Sequence, residues 1–179
     1  AAGGVNASLT TRTATGQGND TLLRIENLIG SSQADTLTGS SIANQLSGGD
    51  GADTLTGKAA ADTLTGGAGA DSFDYNSVTE STYSSAKRDT ITDFNAGEGD
   101  KIDLSDIDAN TGVLGNQEFT ALTSSATAYS NTSSFTAAGQ LYFDQNSHIL
   151  YANVDADAQA EFAILLTGVA SMSLSDLIP

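Results

Sequence analysis

Apolar residues recur at a fixed interval of nine along the first part of the chain. These positions are Leu28, Leu37, Leu46, Leu55, Leu64 and Phe73. An acidic or amide residue lies two positions before each of them, and these residues are Glu26, Asp35, Asn44, Asp53, Asp62 and Asp71. Because a helix repeats about every 3.6 residues and a strand about every 2, this interval indicates an internal repeat rather than one long element.

Each repeat unit combines a glycine-opened turn of six residues with a strand of three, as in GGDGAD followed by TLT. The Thr-Leu-Thr triplets suit a strand that points Leu inward and the β-branched threonines outward. If successive units lie in opposite sheets, two units make one coil and one Leu per unit fills the interior. The pattern therefore predicts an all-β fold, a flattened right-handed parallel β-roll.

Three segments are expected within one continuous structural domain. Residues 1–29 form an N-terminal cap and an irregular first coil, residues 30–75 the repeat coils, and residues 76–179 a C-terminal capping region of antiparallel strands. The first coil is expected to be irregular because Asp20 lies closer to Asp35 than two full repeat units. In the third segment we predict strands at 89–94, 101–104, 141–143, 148–154 and 161–167, a hairpin turn at 144–147 and a loop at 121–138.

The net charge of the chain limits the classes of partner that it can bind. With 22 acidic and 6 basic side chains, the formal net charge is −16. Nucleic acids and anionic membranes need a basic surface, so neither is an expected partner, and no apolar stretch is long enough for a membrane span. Because the chain has no Cys, disulfides, thiolate zinc sites and cysteine nucleophiles are excluded as well. Metal ions and polycations are the natural partners of such a chain.

Two of the turns, GGDGAD at residues 48–53 and GGAGAD at residues 66–71, match the complete nonapeptide G-G-x-G-x-D of calcium-binding repeats. Glycine at the first, second and fourth positions permits positive φ angles and brings carbonyl oxygens and the Asp to one face of the turn. Turns stacked one coil apart then offer a cation two carboxylates and about four carbonyl oxygens, a shell that suits Ca²⁺ better than Zn²⁺ or Mg²⁺. The turns thus predict bound calcium ions.

The sequence resembles the C-terminal RTX (repeats-in-toxin) modules of proteins exported by type I secretion. These include serralysin-type metalloproteases, the R-modules of mannuronan epimerases and large bacterial adhesins. The resemblance extends beyond the repeats, because DTITDFNAGEGDKIDLSDID at residues 89–108 is similar to the tail that follows the β-roll in those modules. It implies a calcium-loaded β-roll and a ligand set that can be carried over position by position.

The resemblance implies several calcium ions, about 3–5 in all, of which three lie on one edge of the roll. The first joins Gly49, Gly51 and Asp53 to Gly66, Ala68 and Asp71. The second joins Ser31, Gln33 and Asp35 to Gly48, Asp50 and Asp53. The third, in the short coil, joins Gly16, Gly18 and Asp20 to Gly30, Ser32 and Asp35.

On the opposite edge one ion would join Ser40, Ile42 and Asn44 to Gly57, Ala59 and Asp62. Calcium is expected to be weak or absent there, because Asn44 replaces an Asp and the turn GKAAAD lacks two glycines. The resemblance also implies that the tail closes the last good turn, with Asp93 and Asp100 joining Gly67, Gly69 and Asp71.

Other candidate sites are weaker. Asp155, Asp157, Gln159 and Glu161 alternate in a segment that could be a calcium loop but lacks its glycine turn, so a solvated hairpin is the favoured interpretation. The single His148 has no imidazole partner for zinc and no G-x-S-x-G motif nearby. A glycosidase needs only two carboxylates and is not excluded, although the aromatic residues typical of a sugar cleft are few.

We expect a non-catalytic, calcium-binding module at the C-terminal end of a larger protein, secreted by a Gram-negative bacterium through type I secretion machinery. Low cytosolic calcium would leave the chain unfolded, and calcium outside the cell would fold it. By resemblance, residues 174–178 would belong to the secretion signal. Two alternatives stay open: a calcium-dependent module that binds a polysaccharide or a cell surface, and an enzyme in its own right.

Overall fold

Short strands and turns make up nearly all of the computed structural model, which describes residues 3–16, 18–130 and 134–179. The strands are β1 (Asn6–Ser8), β2 (Thr13–Thr15), β3 (Asn19–Thr21), β4 (Asn27–Ile29), β5 (Thr36–Ser40), β6 (Gln45–Asp50), β7 (Thr54–Lys58), β8 (Thr63–Ala68), β9 (Ser72–Asp74), β10 (Asp89–Ile91), β11 (Lys101–Asp103), β12 (Ala121–Ser125), β13 (Gln140–Asp144), β14 (Ile149–Asn153), β15 (Phe162–Leu166) and β16 (Leu177–Ile178). Two single turns of 3-10 helix occupy Ser85–Lys87 and Leu174–Asp176. Among the described residues there is no helix long and apolar enough to cross a membrane.

The strands form two eight-stranded sheets. The first has the order β16-β11-β9-β7-β5-β1-β2-β3, and the second has the order β12-β13-β14-β15-β10-β8-β6-β4. Consecutive repeat strands alternate between the sheets and run parallel within each. Leu37 lies beside Leu55, and Leu46 beside Leu64, so each coil consists of two repeat units as predicted. The all-β, parallel β-roll fold with an antiparallel C-terminal region is confirmed.

One hydrophobic core runs through the roll into the C-terminal region. In the coils it is thin, because each strand contributes a single large side chain, and Leu37, Leu55 and Leu64 are completely buried. Burying one such side chain contributes roughly 1.5–3 kcal/mol. The interior of the coils therefore supplies little stability per residue, and the turns at the two edges matter for whether the coils form.

The N-terminal segment differs from the prediction. The described residues 15–16 and 18–20 form no first coil; instead β2 and β3 make an antiparallel hairpin, with Ala14 opposite Asp20. Strand β1 lies between this hairpin and β5, pairing parallel with β5 and antiparallel with β2. The glycines of TGQGND thus reverse a hairpin rather than a coil, which the sequence pattern could not distinguish. Ala1, Ala2 and Gln17 of this segment lie outside the described residues.

The C-terminal region continues the sheets and then covers them. Strand β10 joins the second sheet beside β8, and β11 joins the first beside β9, both parallel. Strands β13, β14 and β15 then run antiparallel, with Asp144 opposite Ile149 across the predicted hairpin turn. The predicted loop at 121–138 is wrong at its start, where β12 pairs with β13; residues 131–133 lie outside the described chain.

Candidate metal centre

Turns of the β-roll line up along two edges. The first edge carries the turns of residues 30–35, 48–53, 66–71 and 92–100, which lead from the second sheet to the first. The second edge carries the turns of residues 39–44, 57–62 and 75–88, which lead back. A buried carboxylate or amide side chain lies at the junction between each of these turns and the strand that follows it.

A ladder of hydrogen bonds joins the carboxylates of each edge. On the first edge the backbone N–H of Asp35 donates to Oδ1 of Asp53 (2.8 Å), that of Asp53 to Oδ1 of Asp71 (2.9 Å), and that of Asp71 to Oδ1 of Asp100 (3.0 Å). On the second edge the N–H of Asn44 donates to Oδ1 of Asp62 (2.7 Å), and that of Asp62 to Oδ1 of Asp89 (2.8 Å). One oxygen of each carboxylate therefore holds the preceding coil in register.

The other oxygen is left without a partner at four positions. Oδ2 of Asp53, Asp62, Asp71 and Asp89 is buried and accepts no hydrogen bond. These residues are at most 1% exposed, so bulk solvent does not reach them. An unsatisfied buried polar group costs about 1–3 kcal/mol, and a charged one costs more. Four such oxygens in stacked turns are the pattern expected of a row of cation sites.

The pKa values reflect the same burial. Desolvation, assisted by the negative charges of Asp100, Asp53 and Asp93, raises the pKa of Asp71 to about 6. On the second edge desolvation raises the pKa of Asp62 to about 7, and burial with the charges of Asp62 and Glu80 raises the pKa of Asp89 to about 8. The carboxylates thus repel one another in a dry environment, and a bound divalent cation would reverse this destabilisation.

The predicted site between residues 48–53 and 66–71 is brought together. A Cβ on Gly67 would lie 1.8 Å from the carbonyl oxygen of Gly49, and one on Gly69 would lie 1.8 Å from that of Gly51. Both upper glycines have positive φ angles, 106° and 136°. Only glycine therefore allows the two turns to stack this closely. Beside them Gly66, Ala68 and Asp71 belong to the upper turn, and the carbonyl of Ala68 accepts a hydrogen bond from the N–H of Gly51 (2.8 Å).

The turn of residues 30–35 stacks under the turn of residues 48–53, which contains Gly48 and Asp50. Its carboxylate, that of Asp35, differs from Asp53 and Asp71 because both of its oxygens accept hydrogen bonds. Oδ2 of Asp35 accepts from the N–H of Ser31, and Oδ1 accepts from the Ser31 hydroxyl (3.0 Å) and from the N–H of Val5 (2.6 Å). The carbonyls of Ser31 and Gln33 face the glycines of the next turn. The structure therefore places this predicted site together, with Asp53 as its unsatisfied oxygen donor.

The third ion predicted on the first edge would need two stacked coil turns, and one of these turns is not formed. Gly16, Gly18 and Asp20 lie in the β2–β3 hairpin. Strands β2 and β1 stand between β3, which contains Asp20, and β5, which follows Asp35. Gly30 and Ser32 remain in the turn that ends at Asp35, and the N–H of Gly30 donates to the carbonyl of Ser47 (2.7 Å). The arrangement of two coil turns sharing one ion is wrong here, because the hairpin takes the place of the coil.

The tail does close the last good turn, as the resemblance implies. Asp93 accepts from the N–H of Gly66 (3.0 Å) and of Gly67 (2.9 Å). Asp100 accepts from the N–H of Asp71 with one oxygen and from the N–H of Asn95 (2.8 Å) with the other. Three carboxylates, those of Asp71, Asp93 and Asp100, thus meet at this turn, which also contains Gly69.

On the second edge Asn44 is satisfied by the protein itself. Its Oδ1 accepts from the N–H of Ser40 (2.7 Å), and its Nδ2 donates to the carbonyl of Glu26 (2.8 Å). An amide can do both, whereas a carboxylate cannot donate. The weak calcium binding predicted between this turn and Asp62 stays a prediction, and the amide's complete set of partners is consistent with it.

Two residues outside the repeats were not predicted to belong to the site. Asp89 continues the second-edge ladder, and Tyr75 is buried beside it with an unpartnered hydroxyl. A signal was present in the sequence: Asp89 follows Asp62 by three whole repeat units, and RDTIT has the form of ADTLT.

The remaining candidates lie outside the stacked turns of the repeats. Asp155, Asp157 and Glu161 bring carboxylate oxygens within 4.8 Å of one another, but Asp157 is exposed, and Glu161 already accepts from the N–H of Val154 (2.9 Å). The ring of His148 donates from Nδ1 to the carbonyl of Val169 (2.6 Å), which is a structural contact.

The donor set fits calcium. It consists of carboxylate and carbonyl oxygens in turns that already hold the required backbone shape, and it contains neither sulfur nor imidazole. At the Asp53 and Asp71 step, the two unpartnered oxygens and the carbonyls of Gly49 and Gly51 would be the donors. This centre supports metal binding, and the free energy of binding would stabilise the folded chain.

Comparisons with known proteins agree with this geometry. Residues 11–178 match the family described as peptidase M10 serralysin C terminal. Among solved structures, the solution structure of the AlgE6R3 subunit of the Azotobacter vinelandii mannuronan C5-epimerase is similar, with a TM-score of 0.56 and 28% identity over 84% of this chain and 76% of that one. No curated protein matches the sequence.

Proposed function

Because this chain belongs to the serralysin C-terminal family of peptidase M10, we propose that it is a calcium-binding β-roll module that folds when it binds its ions. It binds several ions along the edges of the roll, and in cells it is a non-catalytic part of a larger protein that is exported unfolded by type I secretion. The extracellular medium then supplies the calcium.

The observation that carries this proposal is the set of four buried, unpartnered Oδ2 atoms, at Asp53, Asp62, Asp71 and Asp89. Without ions, these carboxylates destabilise a roll whose interior holds one Leu per strand. With ions, the binding free energy becomes folding free energy, since the sites exist only when successive coils are stacked.

A calcium titration followed by far-UV circular dichroism tests the proposal. In excess EGTA we expect the β signal to be lost, and calcium should restore it in one steep transition. Magnesium at the same concentration is the control for divalent charge, and a sodium salt of equal ionic strength is the control for simple screening of the net charge of −16. A spectrum that does not change in EGTA contradicts calcium-dependent folding, and equal recovery in sodium assigns the effect to screening.

A second candidate function is binding of a polysaccharide or a cell surface, and the similarity to an epimerase subunit favours it. Tyr83 is 42% exposed, and the guanidinium of the half-buried Arg88 donates to its carbonyl, so an aromatic and a basic side chain lie together there. The net charge opposes an anionic polymer unless calcium bridges the two. Pull-down on alginate with and without EDTA, comparing the wild type with Arg88→Gln, decides: binding that persists in EDTA or in the variant contradicts this site.

A further inference from the structure

A cleft of about 720 Å³ opens at the end of the roll that is formed by β3 and β4. We call it the N-terminal cleft. It is lined by the β1–β2 turn, by the segment of residues 22–26 that leads from β3 to β4, and by residues 40–42 of the neighbouring turn. Strands β3 and β4 are the outermost strands of their sheets, so no further coil of the described chain covers this end. A cleft of this volume is in the size range of binding sites.

Large aliphatic side chains line this cleft. Leu23, Ile25 and Ile42 are 65%, 45% and 54% exposed. Isolated exposed apolar residues are normal, but a group of them on a concave surface is typical of an interaction site. The lining therefore favours a partner that brings apolar side chains of its own.

Two arginines make the lining positively charged. Arg12 and Arg24 are exposed, and within the described residues neither guanidinium has an ion pair or a hydrogen bond. Arg88 and Lys101, by contrast, donate to carbonyl oxygens of the chain itself. Glu26 is the acid on the same lining, so the cleft has a net positive charge in a chain of net charge −16. Carboxylates are the natural partners of such guanidinium groups.

The backbone holds both arginines in an unusual conformation. Their φ angles are 61° and 58°, in the left-handed region that residues with a Cβ rarely adopt. The carbonyl of Arg12 accepts a hydrogen bond from the N–H of Leu22 (2.8 Å), which ties the two lining segments together. Strain of this kind persists where the surrounding structure requires it, often at functional sites. The guanidinium groups are therefore carried by fixed turns.

The opposite end of the roll has a surface of complementary character. The loop of residues 104–120 leads from β11 to β12, which lie at the ends of the two sheets that are farthest from β3 and β4. At the tip of this loop Val113 and Leu114 are 53% and 99% exposed. The loop also contains the exposed acids Asp106 and Glu118 and has no Lys or Arg. It thus combines apolar and acidic side chains, as the N-terminal cleft combines apolar and basic ones.

The backbone of this loop is held in shape by the loop itself. The N–H of Ala109 donates to the carbonyl of Gln117 (3.0 Å), which closes the base of the tip. Oδ1 of Asp108 accepts from the N–H of Asn110 (3.0 Å) and from the N–H of Gln117 (3.2 Å). A tip that is ordered before binding loses less conformational entropy when it binds.

We infer that the N-terminal cleft receives the loop of residues 104–120 from a second copy of this chain, so that folded modules associate end to end. The apolar tip of the loop packs on the aliphatic lining, and the two arginines face the carboxylates of Asp106 and Glu118. Charge complementarity carries this choice of partner, since the cleft is basic and the loop is acidic. The inference concerns the surface of the folded roll and goes beyond the proposed function.

Such a contact builds open chains. The cleft and the loop are different surfaces at opposite ends of the roll, so the contact is heterologous, and every added copy leaves one free cleft and one free loop. Sedimentation velocity of the full chain in saturating calcium should therefore show an average mass that keeps rising with concentration beyond the dimer. A chain that stays monomeric, with the cleft left to another part of a larger protein, overturns the inference.

Leu114→Ser tests the loop, and Ile29→Ser is its matched control. Both residues are exposed aliphatic side chains, but Ile29, which is 82% exposed, lies outside the N-terminal cleft and outside the loop. Leu114→Ser should lower the association constant about ten-fold or more, and Ile29→Ser should leave it unchanged. Equal losses from the two variants overturn the inference, because they assign association to general surface hydrophobicity. A dimer that Leu114→Ser does not weaken overturns it as well.

Reversed charges test the pairing of the two surfaces. The double variant Arg12→Glu/Arg24→Glu and the double variant Asp106→Arg/Glu118→Arg should each associate about ten-fold or more weakly than the wild type. An equimolar mixture of the two should recover association, because each cleft then meets a loop of opposite charge. A mixture that stays monomeric while the wild type associates overturns the pairing. Circular dichroism of each variant in saturating calcium verifies folding, and Leu114→Ser decides alone if a charge variant does not fold.

Discussion

The two edges of the β-roll are built from the same nine-residue repeat, yet they treat their carboxylates differently. On the first edge glycines take the positive φ angles, and Asp53 and Asp71 each keep an unpartnered oxygen. On the second edge Asn44 satisfies itself, while Lys58 and Ala60 adopt the glycine conformation. The comparison separates two roles of the repeat Asp: an acceptor that sets the register of the coils, which Asn can fill, and a charge that only a cation requires.

The largest expected difference between the edges comes from Asp53→Asn and Asn44→Ala. Asp53→Asn keeps the register acceptor but removes the charge shared by two proposed ions, so the calcium midpoint of folding should rise at least ten-fold, about 1.4 kcal/mol, and the slope of the titration should fall. Asn44→Ala removes three side-chain hydrogen bonds and should cost about 1–3 kcal/mol of thermal stability in saturating calcium without changing that slope. Identical titration slopes for the two variants would contradict the separation of roles.

Gly67→Ala tests the close stacking of the first edge. The new Cβ would meet the Gly49 carbonyl at 1.8 Å, on a residue with a φ of 106°, so the upper turn must move away. We expect a loss of more than about 2 kcal/mol from backbone strain and from the displaced turn, measured by urea unfolding in saturating calcium. A loss below about 0.5 kcal/mol, the size of an ordinary surface substitution, would show that the turns are not held at this distance.

Ala60→Gly is the matched variant on the second edge, and its effect has the opposite sign. Glycine accepts the φ of 91° without the Cβ penalty, so the folded state should gain up to about 1 kcal/mol despite the greater freedom of the unfolded chain. Urea unfolding beside Gly67→Ala measures it. A loss of stability would mean that Ala60 is not strained in solution.

The pH dependence of the calcium-free chain differs between the edges. On the second edge the folded-state pKa is about 8 for Asp89 and about 7 for Asp62, whereas on the first edge it is about 6 for Asp71. The second-edge carboxylates should therefore stay protonated in the folded chain up to a higher pH than Asp71. Because these folded-state values lie above the unfolded one, their contribution is largest at low pH and is lost as the pH rises through 6–8. In EGTA, β structure by circular dichroism should therefore increase on acidification from about pH 8 towards about pH 5. An increase with rising pH would contradict the buried carboxylates.

The smallest effect on calcium-dependent folding is expected outside the stacked turns, in the loop between β14 and β15. Asp157 lies in the exposed acidic loop, and Asp157→Asn should change neither the calcium midpoint nor the stability by more than about 0.5 kcal/mol. The same titration used for Asp53→Asn provides the comparison. A clear shift in the calcium midpoint would show that this loop contributes to calcium-dependent folding.

The sequence was sufficient where the interval of nine continued and insufficient where it was interrupted. Leu28 to Phe73 occupy the predicted coils because a single inward residue per strand defines the register. Asp20 was misplaced because a glycine turn serves a hairpin as well as a coil, and only the pairing of β1 with β5 distinguishes them. Asp89 was missed because the 75–88 loop interrupts the spacing of two units, although Asp89 still follows Asp62 by three whole units; the pairing of β10 with β8 shows that this spacing keeps the register.

The hydrogen-bond ladder of each edge gives the molecule a direction. The N–H of Asp35, Asn44, Asp53, Asp62 or Asp71 is accepted by a carboxylate that comes later in the chain. A coil therefore cannot complete its own edge until the following coil has stacked on it. The last coils depend on Asp89 and Asp100, so the roll is completed by residues that lie outside the repeats.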